Sequence, residues 1–313
     1  MTDAQGHDVV VVGSANLDHV ALVDRLPDQS ATIPATGYFT AAGGKGVNQA
    51  VSAARQGVGV AFVGCVGDDA AGLSLRDLLR AEQIDTTGLH CLPGEATGIA
   101  LVTVGSGGEN TVVVAALANG RMTANDVEAA GLLIDRARVL LVQLEIPVEA
   151  VRAALSRAMA AGVTTVLNPA PATGPLPGEL LALVDVLVPN LVEAAALTGR
   201  PASGSSGSSG EGMARALVAA GCPTVVVTMG EQGAVMAMKH RVDVVRAHSV
   251  DAVDSTAAGD AFCGVLAAGL ARNLPLEVAL RRATAAGALA TTVRGAVPSL
   301  PAAGAIDRLL AAF

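Results

Sequence analysis

The amino-acid sequence predicts an α/β fold: a mainly parallel central sheet flanked by helices, with a small β-sheet lid. Short apolar runs rich in β-branched residues recur along the chain, which is typical of strands buried on both faces. Segments with the apolar spacing of helices lie between many of these runs. Strand and helix therefore alternate over most of the length, and this alternation favours a parallel sheet covered by helices.

Seven apolar runs predict strands, at residues 8–13, 60–65, 99–104, 139–142, 164–167, 184–188 and 224–228. Five segments predict helices, at residues 47–56, 70–82, 147–161, 191–198 and 211–220. Sheets of this kind bind ligands beyond the carboxyl ends of their strands. Polar residues that follow predicted strands are Asn16, Asp18, Glu145, Asn168 and Asn190.

The segment at residues 17–40 interrupts the alternation. It contains two candidate strands, 19–23 and 33–39, around Pro27 and has no helical pattern, while residues 97–114 are expected to contribute further strands. A β excursion beside candidate site residues predicts a lid. We therefore predict one domain over residues 1–313 that includes this lid.

A Gly/Ser tract, GSSGSSG and its flanking residues at 203–210, has the composition of a flexible linker. We expect a flexible loop there with no catalytic role.

The composition indicates a packed globular protein, because 51% of the 313 residues are hydrophobic and only 15% are charged. No apolar run reaches the roughly 20 residues of a membrane span, and the polar N-terminus does not resemble a signal peptide. A net charge of −8 argues against a nucleic-acid partner. The four cysteines lack metal-ligand spacing, which favours a reduced, cytoplasmic protein.

The most informative motif is Ala257-Ala258-Gly259-Asp260, which leads into an apolar helix pattern. Small residues leave the first backbone N–H groups of a helix uncovered, and the helix dipole adds positive charge at that end, so this motif favours a phosphate. A carboxylate there is either an ordinary helix-start residue or a base placed where phosphate chemistry occurs.

The glycine-rich loop Gly43-Gly44-Lys45-Gly46-Val47-Asn48 opens another helix pattern. Its glycines allow the backbone to approach a small polar ligand, and Lys45 and Asn48 offer donors to hydroxyl groups. The spacing excludes the phosphate loop GxxxxGK[ST]. The alternative is a tight turn with a solvated lysine.

Two further motifs follow strands. Asn190 and Glu193 are spaced to share one helix face and could hold Mg²⁺ through water, although a helix N-cap is the favoured interpretation of Asn190 in isolation. The turn from Thr228 to Gly233 could let the backbone approach a nucleotide, or be an ordinary β-turn.

Five motifs in this order resemble those of the ribokinase-like carbohydrate kinases, and the resemblance spans residues 9–301. They lie at residues 13–18, 43–48, 143–147, 190–193 and 254–260. Within this family, the runs 43–51 and 167–172 are most similar to those of the members that phosphorylate ribose.

The resemblance implies ATP-dependent phosphorylation of the 5-hydroxyl group of D-ribose, which gives ribose 5-phosphate and ADP. It implies that Asp260 is the general base and that the backbone amides of Ala257, Ala258, Gly259 and Asp260 form an anion hole. The residues implied to bind the sugar are Asn16, Asp18, Gly44, Lys45, Asn48, Glu145 and Asp260.

The resemblance also implies three cofactor sites. The residues implied for ATP are Asn190, Thr228, Gly230, Gly233, Gly259 and Thr284. Glu193 is implied for Mg²⁺, through water. The residues implied for an activating K⁺ ion are Asp254, Thr256, Ala290, Val293, Gly295 and Ser299.

Three positions depart from the family pattern. Leu117 stands where these kinases usually have glycine, the lid turn at 27–32 lacks their Gly-Glu pair, and Thr284 stands where many place a residue beside adenine. A kinase of the same family acting on another sugar or a nucleoside such as adenosine is the main alternative. The first lid strand, 19–23, has no Phe or Tyr, which favours a bare sugar.

A non-catalytic sugar or nucleotide sensor is a further alternative. Retention of Asp260, Gly259, Asn190 and Glu193 argues against it, because a sensor needs no base. The open edges of the lid strands, together with the family resemblance, predict a homodimer formed through the lids.

Overall fold

The computed structural model describes residues 7–107, 109–200 and 210–312. The strands are β1 (Val9–Val12), β2 (Asn16–Val23), β3 (Gly37–Gly43), β4 (Val60–Gly67), β5 (Asp85–Leu92), β6 (Gly98–Gly105), β7 (Asn110–Ala115), β8 (Val139–Gln143), β9 (Thr164–Asn168), β10 (Val186–Leu187), β11 (Thr224–Thr228), β12 (Ala234–Met238) and β13 (Arg241–Val245).

The helices are α1 (Lys45–Ala54), α2 (Ala70–Ala81), α3 (Ala124–Ala129), α4 (Gly131–Asp135), α5 (Val148–Ala160), α6 (Gly178–Leu181), α7 (Leu191–Thr198), α8 (Gly210–Ala219), α9 (Ala258–Ala271), α10 (Leu276–Ala290), α11 (Ala296–Ser299) and α12 (Ala303–Ala311).

The main sheet has nine strands in the order β13-β12-β11-β10-β9-β8-β1-β4-β5. Neighbours from β11 through β5 pair in parallel, whereas β12 and β13 join in antiparallel fashion at one edge. β1 is central, since Val9 is in register with Val60 on one side and Val139 on the other. The predicted mainly parallel sheet is confirmed.

Helices cover both faces of this sheet, which explains why β1 consists entirely of buried valines. Val9 and Val11 pack into one core with residues of α1, α2, α9 and α10. Val10 and Val12 pack into a second core with residues of α5, α7 and α8.

The lid is a separate four-stranded sheet in the order β3-β2-β6-β7. The run at residues 99–104 forms most of β6, which pairs with β2 and β7 in this lid. It is not buried on both faces as its composition suggested, since Leu101 is 52% exposed. The strand expected at 33–39 begins only at Gly37. Pro34 cannot donate to a ladder hydrogen bond, which accounts for the late start.

The Gly/Ser tract at residues 203–210 falls almost wholly outside the described residues, and Gly210 is the first residue of α8. Within the described ranges, no helix is long and apolar enough to cross a membrane.

α9 packs closely on α1, and this packing brings the amino-terminal ends of the two helices side by side. A Cβ atom on Gly264 would lie 2.5 Å from Ser52 Cβ and 2.6 Å from the Gln49 carbonyl oxygen. Ser52 also donates its hydroxyl to the carbonyl of Ala261, at 3.0 Å. Because Gly264 has no side chain, α9 can approach the backbone of α1 at this point.

Replacing Gly264 with alanine should lower the free energy of unfolding by about 1–3 kcal/mol, the usual cost of overpacking. Gly178→Ala is the matched control, because a Cβ there has nothing within 4 Å. We expect the control to be neutral or slightly stabilising. Urea denaturation of both variants measures the difference, and equal stability would contradict the packing argument.

Candidate active site

A cleft of about 200 Å³ lies beyond the carboxyl ends of the central strands. Its lining contains many of the residues singled out in the sequence: Lys45, Asn168, Asn190, Glu193, Thr228, Ala257, Ala258, Gly259 and Asp260. Cys263 and Ser255 also line it. The fold thus gathers residues that are more than 200 positions apart in the sequence.

The start of α9 forms the floor of this cleft. Ala257 is the N-cap in a left-handed conformation, with φ 59° and ψ 9°, and it provides no side-chain cap. Ala258 donates its N–H to the Ser255 carbonyl at 3.3 Å, whereas Gly259 and Asp260 lie in the first turn, where N–H groups have no acceptor within the helix. These amides and the helix dipole favour an anion.

Asp260 does not cap α9, because it is the third residue of the helix and its side chain turns toward α1. It is only 6% exposed. Asn48 donates its Nδ2 to Oδ2 of Asp260 at 2.9 Å, and Gln49 donates its Nε2 to Oδ1, also at 2.9 Å. Asp260 is therefore a buried carboxylate with one amide donor on each oxygen.

The second carboxylate, Asp18, lies on β2 opposite β3, where Gly43 leaves room for it: a Cβ atom on Gly43 would overlap both oxygens of Asp18. Burial, followed by the negative charges of Glu145 and Asp260, raises the pKa of Asp18 to about 7. Asp18 Oδ1 and Asn48 Oδ1 are buried and find no hydrogen-bond partner among the residues that the structure describes. Two acceptors are thus left for a ligand.

Asn16 is 2% exposed and begins β2. Its Oδ1 accepts from Asn119 Nδ2 at 2.7 Å, which turns the Asn16 amide nitrogen to the opposite side. Asn119 also accepts from the Ala15 N–H and donates to the Ala15 carbonyl. Sequence reasoning missed Asn119, although it lies two residues beyond Leu117, the position noted as a departure.

The third carboxylate, Glu145, accepts from the Ser14 hydroxyl at 2.6 Å and from the Lys45 N–H at 3.1 Å. Ser14 is fully buried and was not among the predicted site residues. At Gly44, φ is 88°, and a Cβ atom would lie 2.8 Å from the Asn16 nitrogen, so the loop requires glycine there.

Lys45 is the cation of the site. Burial lowers the pKa of Lys45, but the nearby carboxylates of Asp260, Glu145 and Glu193 outweigh it, and the net pKa is raised. Lys45 is therefore a permanent positive charge among three carboxylates.

Asn190 and Glu193 form a capping box at the start of α7. Glu193 donates its N–H to Asn190 Oδ1 at 2.8 Å, and Asn190 donates its N–H to Glu193 Oε2 at 2.8 Å. Burial raises the pKa of Glu193, against the opposing effects of the Asn190 N–H and of Lys45. Asn190 is thus an N-cap that also lines the cleft.

The residues expected around ATP divide into two groups. Thr228 pairs with Asn190 through an isolated bridge and lines the cleft. Gly230, Gly233 and Thr284 do not line it: Gly233 has φ 90° and packs on the Val245 carbonyl, and the Thr284 hydroxyl donates to the Leu280 carbonyl at 2.9 Å.

The residues expected around K⁺ come from two segments of the chain, 254–256 and 290–299. The Asp254 side chain joins these segments. This carboxylate accepts from the Thr256 N–H at 2.9 Å and from the Gly295 N–H at 2.8 Å. The Ser299 hydroxyl donates to the Ala296 carbonyl, and the Ala290 carbonyl accepts from Val293. Among the described residues, no group of three His, Cys, Asp or Glu side chains could hold a metal ion.

Comparison with known proteins identifies the family. A model of the pfkB family carbohydrate kinases matches residues 6–303. Ribokinase of Haemophilus influenzae is 37% identical over 94% of this chain and 95% of its own, and ribokinase of Mus musculus is 38% identical over 94% and 91%. Deoxyribokinase of Salmonella typhi is 31% identical over 94% and 95%.

A solved structure agrees with these relatives. Arabidopsis thaliana ribokinase, complexed with ribose and ATP, is 31% identical and covers 97% of this chain and 99% of its own, with a TM-score of 0.86. The family match covers nearly the whole described chain, including every element that lines the cleft. The chain belongs to the pfkB family of carbohydrate kinases.

Proposed function

We propose that this protein is a ribokinase, which transfers the terminal phosphoryl group of ATP to the 5-hydroxyl group of D-ribose. The observation that carries the proposal is the pair of buried acceptors without partners, Asp18 Oδ1 and Asn48 Oδ1, next to the buried carboxylate of Asp260. A buried acceptor left unpaired costs about 1–3 kcal/mol, and sugar hydroxyl groups are donors that would satisfy both.

The remaining polar groups suit the same sugar. Lys45 donates but cannot accept, whereas Asp18 and Glu145 accept when ionised. The Asn16 amide nitrogen adds a donor, because Asn119 occupies its oxygen. Donors and acceptors thus surround one small molecule that carries several hydroxyl groups.

The transfer itself requires alignment and charge stabilisation more than covalent chemistry by the protein. As the sugar oxygen forms its bond to the terminal phosphorus atom, its proton passes to the Asp260 carboxylate, and the bond from phosphorus to the ADP oxygen breaks. The uncovered amides at the start of α9 and the charge of Lys45 stabilise the negative charge on the transferred group.

The residues present also fit the ions proposed from the family resemblance. Glu193 would hold Mg²⁺ through water near the ATP phosphates, where the ion supplies charge neutralisation. A K⁺ ion would lie between the 254–256 and 290–299 loops, which Asp254 already joins. We propose a cytoplasmic location, since the substrate is ATP and all four cysteines are free thiols.

The first test is ADP release with ATP, Mg²⁺ and K⁺ in the presence of D-ribose, 2-deoxyribose, fructose, adenosine, uridine or no sugar. We expect turnover with D-ribose that Asp260→Asn lowers by about 10²–10⁴-fold, the usual contribution of a general base. Asp77→Asn on the exposed face of α2 is the control and should match the wild type.

Turnover with another compound and none with ribose would replace the proposed substrate and keep the mechanism. ADP release that is equal with and without sugar, or absent throughout, would contradict the kinase proposal and favour a sensor.

The Asp18 carboxyl predicts a pH-dependent affinity for ribose. Its pKa of about 7 means that it is mostly protonated at pH 6 and mostly ionised at pH 8. The ionised form accepts hydrogen bonds from hydroxyl groups better, so the dissociation constant should be about tenfold larger at pH 6 than at pH 8. Calorimetric titration measures it, and Asp18→Asn should bind weakly without this dependence. A wild-type constant that does not change with pH would contradict the role of Asp18.

The lid supports the proposed homodimer. β3 and β7 are the edge strands of the lid sheet, and their exposed side chains include Tyr38 at 64% and Val113 at 65%. Pairing of two lids would cover these open edges and apolar groups.

Val113→Lys should convert a dimer to a monomer in light scattering at micromolar concentration, because a buried lysine at the contact would lack a partner. Val244→Lys is the matched control, since Val244 lies on β13 at the edge of the main sheet and is 61% exposed. A wild-type monomer, or equal masses for both variants, would contradict assembly through the lids.

A further inference from the structure

Three buried side-chain amides form a chain of hydrogen bonds behind Asp260. Gln49 of α1 and Gln143 of β8 are 0% exposed, and Asn168 of β9 is 8% exposed. None of the three is used in the phosphoryl transfer described above, yet they connect the base to two strands of the central sheet.

The Val188 carbonyl at one end of this chain determines which group donates and which accepts in every hydrogen bond. The Val188 carbonyl can only accept, so Asn168 must present Nδ2 to it, at 2.8 Å. Asn168 Oδ1 then accepts from Gln49 Nε2 at 3.0 Å. Gln49 Oε1 accepts from Gln143 Nε2 at 2.7 Å, and the second hydrogen of Gln49 Nε2 is directed at Asp260 Oδ1, 2.9 Å away.

This arrangement is costly for the fold. Gln143 Oε1 is buried with no hydrogen-bond partner in the described ranges. The Gln143 side chain also requires glycine at position 13, because a Cβ atom on Gly13 would overlap Gln143 Oε1. Apolar residues at these positions would avoid a burial penalty of about 1–3 kcal/mol, so stability does not account for the amides.

We propose that Gln49 is a positioning residue for the kinase reaction: held by Asn168 and Gln143, it fixes the rotation of the Asp260 carboxylate. Gln49 donates to Oδ1 and Asn48 donates to Oδ2, so each carboxylate oxygen is held by one amide and keeps acceptor capacity for the sugar hydroxyl. The inference rests on the proposed function.

Gln49 orients the base without adding charge. The charged and titratable groups that interact with Asp260 come from four other places in the fold: Lys45 at the start of α1, Glu193 of α7, Asp18 of β2 and Cys263 of α9. A neutral amide donor leaves the balance of these charges unchanged.

The test is Gln49→Met, which keeps the length of the side chain and removes its amide. We expect kcat to fall about 10- to 100-fold, because a misplaced catalytic group costs that much, while KM for sugar and for ATP changes less than about threefold.

Gln56→Met is the matched control. Gln56 is also buried, at 4% exposure, and donates its Nε2 to the Ser52 and Pro301 carbonyls, two helical turns away from Gln49. This variant should lose comparable thermal stability yet keep the wild-type kcat and pH profile.

Gln49→Glu is a second variant that separates positioning from folding. Its protonated carboxyl can still donate to Asp260, whereas its ionised form repels it, so kcat should decline as the pH rises, unlike that of Gln49→Met. A wild-type kcat in Gln49→Met would overturn the inference.

Failure of the proposed function gives a different result. If the wild type uses another sugar of the panel, the same variants are compared with that sugar. If it uses none of them, both proposals are overturned.

Discussion

The contact between α1 and α9 is the constraint on which the rest of the site depends. Gly264 lets the two helices meet at backbone distance, and Ser52 ties them together. Their amino-terminal ends then lie side by side, so Asn48 and Gln49 reach Asp260 directly. Because Gly264 has no side chain, Asp260, its two amide donors and the uncovered amides of α9 can share one cleft.

Charge balance is the second determinant. Three carboxylates lie around one lysine, and the net effect on Lys45 is a raised pKa, whereas Asp18 is pushed toward its neutral form. Both pKa values are raised, and neighbouring carboxylates contribute to both: they outweigh the effect of burial at Lys45 and add to the effect of burial at Asp18. With three carboxylates around one lysine, negative charge predominates in the site when these groups are ionised.

The sequence predicted six of the nine strands in the main sheet, six of the twelve helices in the described part of the chain and many of the residues that line the cleft. These depend on local periodicity and short motifs. The strand at 99–104 lies in the lid, as expected for part of 97–114, but it is not buried on both faces as its apolar composition suggested, because composition does not reveal which faces a small sheet leaves exposed. It could not predict the roles of Gln49, Gln143, Ser14 and Asn119. Each acts through a hydrogen bond to a residue at least 94 positions away, and nothing in a local pattern specifies such a pairing.

Asp18 faces two other carboxylates, Glu145 and Asp260, across the boundary between the lid and the rest of the fold. Asp18 lies on β2, a strand of the lid. Glu145 instead follows β8 of the main sheet, and Asp260 lies on α9, one of the helices that cover that sheet. Like charges facing each other across this boundary push the lid away from the core whenever all three are ionised. A sugar bound as proposed above would place its hydroxyl donors between these carboxylates, and the resulting hydrogen bonds would offset this repulsion.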